Sequence, residues 1–350
     1  MDNNDFLNLM NEATRLTRSG DLHGATAAIQ AALGGSAGQA SDRATGAGDT
    51  AEAVDVIDVQ ARELPAASEK PQFIAGNHAT TSGGRDYKLF IPAGVGVKPM
   101  PLVVMLHGCT QDPDDFAAGT AMNDLAQAQG FLVLYPAQSQ QANPQRCWNW
   151  FKHSHQQRGR GEPALLAGMT RQVMQQHAVD PARVYVAGLS AGGAMAAILG
   201  DTYPDLFAAV GVHSGLAAGS ASDLPSALQA MQGKGNAGKA SALHVPTIVF
   251  HGDADATVHP RNGEHVASAS SLGAGAADVQ QHQATGRRRS TRSIHRDAGG
   301  KVLAEHWLVH GAAHAWAGGS ASGSYTDARG PDASAEMLRF FLQHPRNAAQ

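Results

Sequence analysis

Val184-Tyr185-Val186-Ala187-Gly188-Leu189-Ser190-Ala191-Gly192-Gly193 reads as a strand, a tight turn and the start of a helix. The apolar run before Gly188 has strand character, and the run from Met195 to Leu199 has helical spacing. Between them Gly188-Leu189-Ser190-Ala191-Gly192 fits Gly-x-Ser-x-Gly, the nucleophile elbow. The elbow is so tight that the residues flanking the serine must be small, because a β-carbon there would clash. Small residues abound in this chain, which has 40 glycines, so the motif alone is weak. Its place between strand and helix gives it meaning.

A serine needs an adjacent base held by an acid before it attacks anything. In α/β-hydrolases the chain order is Ser, then Asp or Glu, then His. Thr247-Ile248-Val249-Phe250 reads as the next buried parallel strand and ends in His251-Gly252-Asp253-Ala254-Asp255. Two aspartates compete there. Asp255 is preferred, because Asp253 is still close to the strand end and its side chain could cap the turn. The last strand, His306-Trp307-Leu308-Val309-His310, leads into Gly311-Ala312-Ala313-His314-Ala315-Trp316. Among 17 histidines, His314 is singled out by its loop position after that strand, whereas His310 at the strand end is read as packed or solvated. An oxyanion hole is expected from the N–H of the residue after the nucleophile, Ala191, and from the loop His107-Gly108-Cys109 after the strand Leu102-Val103-Val104-Met105-Leu106, with Cys109 as the donor. Each element alone has an ordinary explanation: a strand-to-helix turn, a helix cap, a plain loop. Together, in register with successive strands, they point to catalysis.

Strands and helices alternate from 102 onward: strand 102–107, helix near 114–129, strand 131–135, helix near 163–177, strand 184–188 and a final helix near 332–343. The expected fold class is α/β, an α/β-hydrolase fold with a mostly parallel central sheet and helices on both faces. Two antiparallel strands, 73–79 and 87–92, are expected to open it, joined near Gly83-Gly84, and a second antiparallel pair over 286–305 turns at Gly299-Gly300. Residues 219–243, rich in Gly, Ser, Ala and Lys, read either as a flap over the site or as a surface loop. Ahead of this domain, apolar positions Phe6, Leu9, Met10, Ala13 and Leu16, then Leu22, Ala25, Ile29 and Leu33, predict a small helical hairpin over 1–34. A flexible linker over 35–71 and a catalytic domain over 72–345 follow. The hairpin's apolar face has two readings: it packs on its own catalytic domain, or it docks the enzyme on a granule, a granule protein or a second subunit.

The net charge of −4 gives no reason to expect nucleic acid or an anionic membrane as partner. The cluster Arg287-Arg288-Arg289 with Arg292 reads as the solvated face of a strand. No segment approaches the ~20 consecutive apolar residues of a membrane helix. Met1-Asp2-Asn3-Asn4-Asp5 lacks the basic and apolar regions of a secretory signal, so a cytoplasmic location is expected. The two cysteines, Cys109 and Cys147, are expected as reduced thiols there, with a bridge that rigidifies the active-site rim as the alternative. They are too few for a clustered metal site, and no metal or organic cofactor is expected.

Six segments carry a resemblance: Leu106-His107-Gly108-Cys109-Thr110-Gln111, Arg146-Cys147-Trp148-Asn149-Trp150-Phe151, Gly188 to Gly193, His213-Ser214-Gly215, His251 to Asp255, and Gly311-Ala312-Ala313-His314-Ala315-Trp316-Ala317-Gly318-Gly319. The set resembles the poly(3-hydroxybutyrate) depolymerase family of esterases over about 72–343. The resemblance implies Ser190 as nucleophile, Asp255 as acid and His314 as base, and it pairs the two cysteine segments near the site. It implies hydrolysis of ester bonds in poly(3-hydroxybutyrate) or its oligomers through an acyl-enzyme, by a member resembling the intracellular ones and associated with storage granules. The alternative is a carboxylesterase for acetyl or feruloyl groups of polysaccharides, which the family also contains. Trp148 and Trp316 fall in motifs near the site and are expected to wall it for methyl-bearing hydroxyacyl units, whereas Trp150 is expected in the core.

Overall fold

The computed structural model describes residues 69–80, 83–94, 98–234, 243 and 245–346. The expected hairpin over 1–34, and the linker up to residue 68, lie outside the described residues.

Strand β3 (Met100–Leu106) is buried along nearly its whole length, because both faces of the sheet are covered. Leu102, Val104 and Leu106 point into one core, and Val103 and Met105 into the other. Its parallel neighbours are β4 (Leu132–Pro136) and β5 (Val179–Leu189). Beyond β5 come β6 (Ala209–His213), β7 (Thr247–Gly252) and β10 (Val302–Val309), each parallel to the last. Antiparallel strands close both edges: β1 (Gln72–Thr80) with β2 (Gly83–Ile91) on one, and β8 (Asp278–His282) with β9 (Ser290–Arg296) on the other. The order is β1-β2-β4-β3-β5-β6-β7-β10-β9-β8.

Helices α1 (Pro113–Thr120), α2 (Met122–Gln129) and α7 (Ala333–Leu342) bury their apolar faces in the core beneath Val103 and Met105. Helices α3 (Gly161–Gln176), α4 (Ala191–Thr202), α5 (Leu224–Met231) and α6 (Arg261–Ser270) contribute to the opposite core. This is the mostly parallel sheet, covered on both faces, that the sequence leads one to expect.

Two details differ from expectation. The single helix near 114–129 is two helices, broken at Ala121, whose φ is 51°. The carbonyls of Gly119 and Thr120 accept hydrogen bonds from Ser320 N–H (2.8 Å) and Ser334 Oγ–H (2.7 Å), so the helix ladder ends there. Within 219–243, α5 is a capped helix rather than a free flap. Asn262 Nδ2 donates to Ala230 O (2.9 Å) and His259 N–H to Met231 O (2.8 Å), which tie its end to the start of α6.

Candidate active site

The parallel strands deliver their C-terminal ends to one edge of the sheet, where open α/β sheets place their sites. At the end of β5, Ser190 has φ 57° and ψ −118°. A non-glycine residue there costs on the order of 1–3 kcal/mol and persists only where its surroundings enforce it. Here Ser190 N–H donates to His213 O (2.8 Å), and Ser190 O accepts from Ala194 N–H (2.9 Å). A β-carbon on Gly192 would stand 2.1 Å from Leu106 O, and one on Gly188 2.4 Å from the carbonyl carbon of Gly192. The two glycines are therefore required by close backbone approach. Strain recurs nearby: Thr110, Arg146, Ser214 and Tyr325 also have positive φ.

His314 lies on the loop after β10, and its Nδ1 donates to Asp255 Oδ2 at 2.7 Å. Asp255 lies on the loop after β7 with its side chain fully buried. Its Oδ1 accepts from Thr257 N–H and Val258 N–H, both at 2.9 Å. Burial alone would raise this carboxyl, but contacts with His251 and His314 outweigh it and hold it well below the usual range. The acid is thus a carboxylate that fixes the imidazole with Nε2 outward. Among the described residues, no hydrogen bond to His314 Nε2 competes with a substrate or with Ser190. Asp253 goes elsewhere. Its Oδ2 accepts from His310 Nδ1 (2.8 Å) and its Oδ1 from Gly311 N–H (2.6 Å), so it clamps the root of the His314 loop.

On the loop after β3, Gly108 N–H donates to Gln111 Oε1 (2.9 Å) and Thr110 N–H to Gln145 O (2.6 Å). Among the described residues, the Cys109 N–H between them has no acceptor. Ala191 N–H opens α4, where the first-turn donors lack helical partners and the helix dipole favours negative charge. The Cys109 N–H and the first-turn Ala191 N–H are the donors that could receive an oxyanion.

Cys109 and Cys147 form a disulfide, their Cα atoms 4.2 Å apart. This corrects the expectation of two reduced thiols, because the fold brings the Cys109 loop against the 138–149 segment. That segment is anchored on the buried carboxylate of Glu162, which accepts from Asn149 N–H (2.7 Å), Asn149 Nδ2 (2.8 Å) and Gln138 Nε2 (2.5 Å).

The expected aromatic wall is not formed by Trp148 and Trp316, which are 0% and 1% exposed. Trp148 Nε1 donates to His107 O (3.1 Å), and Trp316 Nε1 to Ser334 Oγ (3.1 Å) while its ring meets Phe116 edge-on. Both are core supports of the site loops, as Trp150 also is. The aromatic that does stand at the rim is Tyr325, 47% exposed, its hydroxyl 3.3 Å from Thr110 Oγ1 and its carbonyl accepting Trp316 N–H (2.7 Å). It thereby spans the Cys109 loop and the His314 loop. Nothing in the Ser- and Gly-rich stretch 318–324 before it signals that placement.

A model of the family described as esterase PHB depolymerase matches residues 85–295, more than half of the chain. The chain belongs to the esterase PHB depolymerase family. The family match takes in Cys109, Cys147, Ser190 and Asp255, and His314 lies past its end. Poly(3-hydroxyalkanoate) depolymerase C of Paucimonas lemoignei is 34% identical over 199 residues, 53% of this chain and 48% of that protein. A probable acetylxylan esterase A of Neosartorya fischeri is 30% identical over 205 residues, 53% of this chain and 55% of that protein. The chain thus spans about half the length of these curated relatives. A solved acetyl xylan esterase from Aspergillus awamori shares the α/β-hydrolase fold with this family member, at a TM-score of 0.61 and 19% identity, over 78% of this chain and 99% of its own. Among the described residues no helix is long and apolar enough to cross a membrane, and no cluster of metal-ligating side chains occurs.

Proposed function

We propose that this chain is a serine esterase that hydrolyses ester bonds of poly(3-hydroxybutyrate) or its oligomers. The observation that carries the reading is the His314–Asp255 pair, 2.7 Å apart, at the same sheet edge as the strained Ser190 elbow, in a chain of the depolymerase family. In the proposed reaction His314 Nε2 takes the proton of Ser190 Oγ as that oxygen attacks the ester carbonyl. The N–H groups of Cys109 and Ala191 stabilise the tetrahedral oxyanion. His314 then protonates the departing alcohol, leaving the acyl group on Ser190. Water, deprotonated by His314, attacks the acyl-enzyme, and collapse returns the proton to Ser190 and frees the acid. Asp255 orients the imidazole and stabilises its charged form. Tyr325 is proposed to pack against the hydroxyacyl unit in place of the buried tryptophans.

The 30% identity to an acetylxylan esterase favours a second reading, hydrolysis of acetyl or feruloyl esters on polysaccharide. Initial rates on 3-hydroxybutyrate oligomers and on acetylated xylan, each with wild type and Ser190→Ala, separate the two. Serine-dependent release from the oligomers alone is expected. Serine-dependent deacetylation alone would replace the first reading with the second.

The catalytic domain is proposed to run over 72–345, with the 1–34 hairpin as a granule contact or an intramolecular brace. Sedimentation with amorphous granules, with and without residues 1–34, distinguishes these. The proposed cytoplasmic, granule-associated location stands against the Cys109–Cys147 bridge, which belongs to oxidising compartments. Trapping thiols in intact cells decides it: two free thiols fit the cytosol, and a persistent bridge contradicts it.

A further inference from the structure

His213-Ser214-Gly215 stands out in the sequence without a role of its own, and the steps above do not use it. His213 ends β6, between the strand that carries Ser190 and the strand that leads to Asp255. Its backbone carbonyl accepts the Ser190 N–H at 2.8 Å. Its imidazole Nε2 accepts the Ala317 N–H at 2.9 Å, three residues past His314. One residue therefore grips the nucleophile's turn with its main chain and the base's loop with its side chain.

The grip is built for a neutral ring. An amide N–H can only donate, so Nε2 must carry a lone pair and the proton must sit on Nδ1. There it points at Ser214 Oγ, 3.2 Å away. The ring is 1% exposed and stacks between Phe250 and Trp316, with centroids 5.8 and 5.0 Å away. Burial pushes its pKa well below the ordinary value, which favours the neutral ring this bond needs. The His314 loop is then fastened from Gly311 to Asp253, from His314 to Asp255 and from Ala317 to His213, alongside Ala312 O on Ala254 N–H and the Trp316 bonds to Tyr325 and Ser334.

We infer that His213 is a positioning residue that sets the Ser190 elbow and the His314 loop at a fixed mutual distance, through Ser190 N–H on its carbonyl and Ala317 N–H on its Nε2. The inference rests on the proposed esterase reaction of Ser190 and His314. Proton transfer between them depends on separation, and a misplacement near 1 Å costs about 10²-fold in rate.

Three variants test it on a short-chain ester. His213→Gln can place Oε1 where Nε2 lies and keep the acceptor. His213→Asn can keep a donor toward Ser214 but does not reach Ala317. His213→Leu removes both. The inference expects Asn and Leu to lower kcat roughly 10- to 100-fold with KM within about twofold, and Gln to recover most of the loss. Equal losses in all three, tracking their melting temperatures, would reduce His213 to a packing residue and overturn the inference. Wild-type kcat in a folded Asn or Leu variant would also overturn it. Should a variant fail to fold, hydrogen exchange at the Ala317 amide of the wild type still decides: protection is expected, and exchange at the rate of exposed loop amides contradicts the grip. Wild type and Ser190→Ala are measured beside them. Absence of serine-dependent turnover in wild type would sink the esterase reading itself, separately from the role of His213.

Discussion

Removing the Cys109–Cys147 bridge with the double substitution Cys109→Ser, Cys147→Ser should act on stability and on rate by separate routes. The bridge closes a loop with a sequence separation of 38 residues. Loop-closure entropy for that length is about 13 cal/mol/K, which corresponds to roughly 4 kcal/mol at 25 °C. For a domain of this size each kcal/mol moves Tm by about 2–4 °C, so a fall of roughly 8–16 °C is expected. The rate should fall because Cys109 is proposed to supply an oxyanion N–H. Losing one such donor outright costs about 10²- to 10³-fold. The loop is still held by Gly108 N–H on Gln111 Oε1 and Thr110 N–H on Gln145 O, so the expected loss in kcat is smaller, roughly tenfold, with KM little changed. Thermal unfolding by circular dichroism and steady-state kinetics on a short-chain ester measure both. A Tm within about 2 °C of wild type together with unchanged kcat would refute the reasoning, because it would leave the bridge with neither an entropic nor a positioning role.

Asp255→Asn should lower kcat by about 10⁴-fold through loss of the imidazole's orientation, whereas Asp253→Asn, which loosens the clamp on His310 and Gly311, should cost about tenfold or less; kinetics on one ester rank the two. Gly192→Ala sets a β-carbon 2.1 Å from Leu106 O and should destabilise the fold by more than about 3 kcal/mol, read as lost soluble yield or a lowered Tm. Stability should fall as the pH drops below about 6.5. Burial holds His107 and His306 at about 4 in the folded chain, so between those values the unfolded chain binds protons that the folded chain refuses. Each contributes up to ~1.4 kcal/mol per pH unit over that window. Asp255, Glu162 and Glu305, all depressed when folded, add a further loss on the acid side of the ordinary carboxylate range. Urea midpoints from pH 7 to pH 4 check the slope, and a flat profile would contradict it.

The sheet was legible because its strands are continuous apolar runs, such as Leu102-Val103-Val104-Met105-Leu106, which belong to a sheet covered on both faces. The elbow was legible because close backbone approach leaves glycine no substitute at 188 and 192. The structure brings Asp255 rather than Asp253 to His314, and strand geometry was already a reason to prefer it. The tryptophans misled because a motif gives proximity in sequence and not the side on which a ring lies. Trp148 and Trp316 support the loops from beneath, and Tyr325 stands above them. The break at Ala121 depends on Ser320 and Ser334, about two hundred residues away in sequence, which no local pattern could supply. The double grip of His213 was hidden for the same reason. Its side-chain partner, Ala317, lies 104 residues away.

The most direct test of the account is the initial rate of 3-hydroxybutyrate release from a defined oligomer by wild type and by Ser190→Ala at equal folded concentration. The account predicts steady release by wild type and a fall of about 10⁴-fold or more in the variant. Comparable release by both would contradict the assignment of Ser190, and with it the reaction built on the elbow.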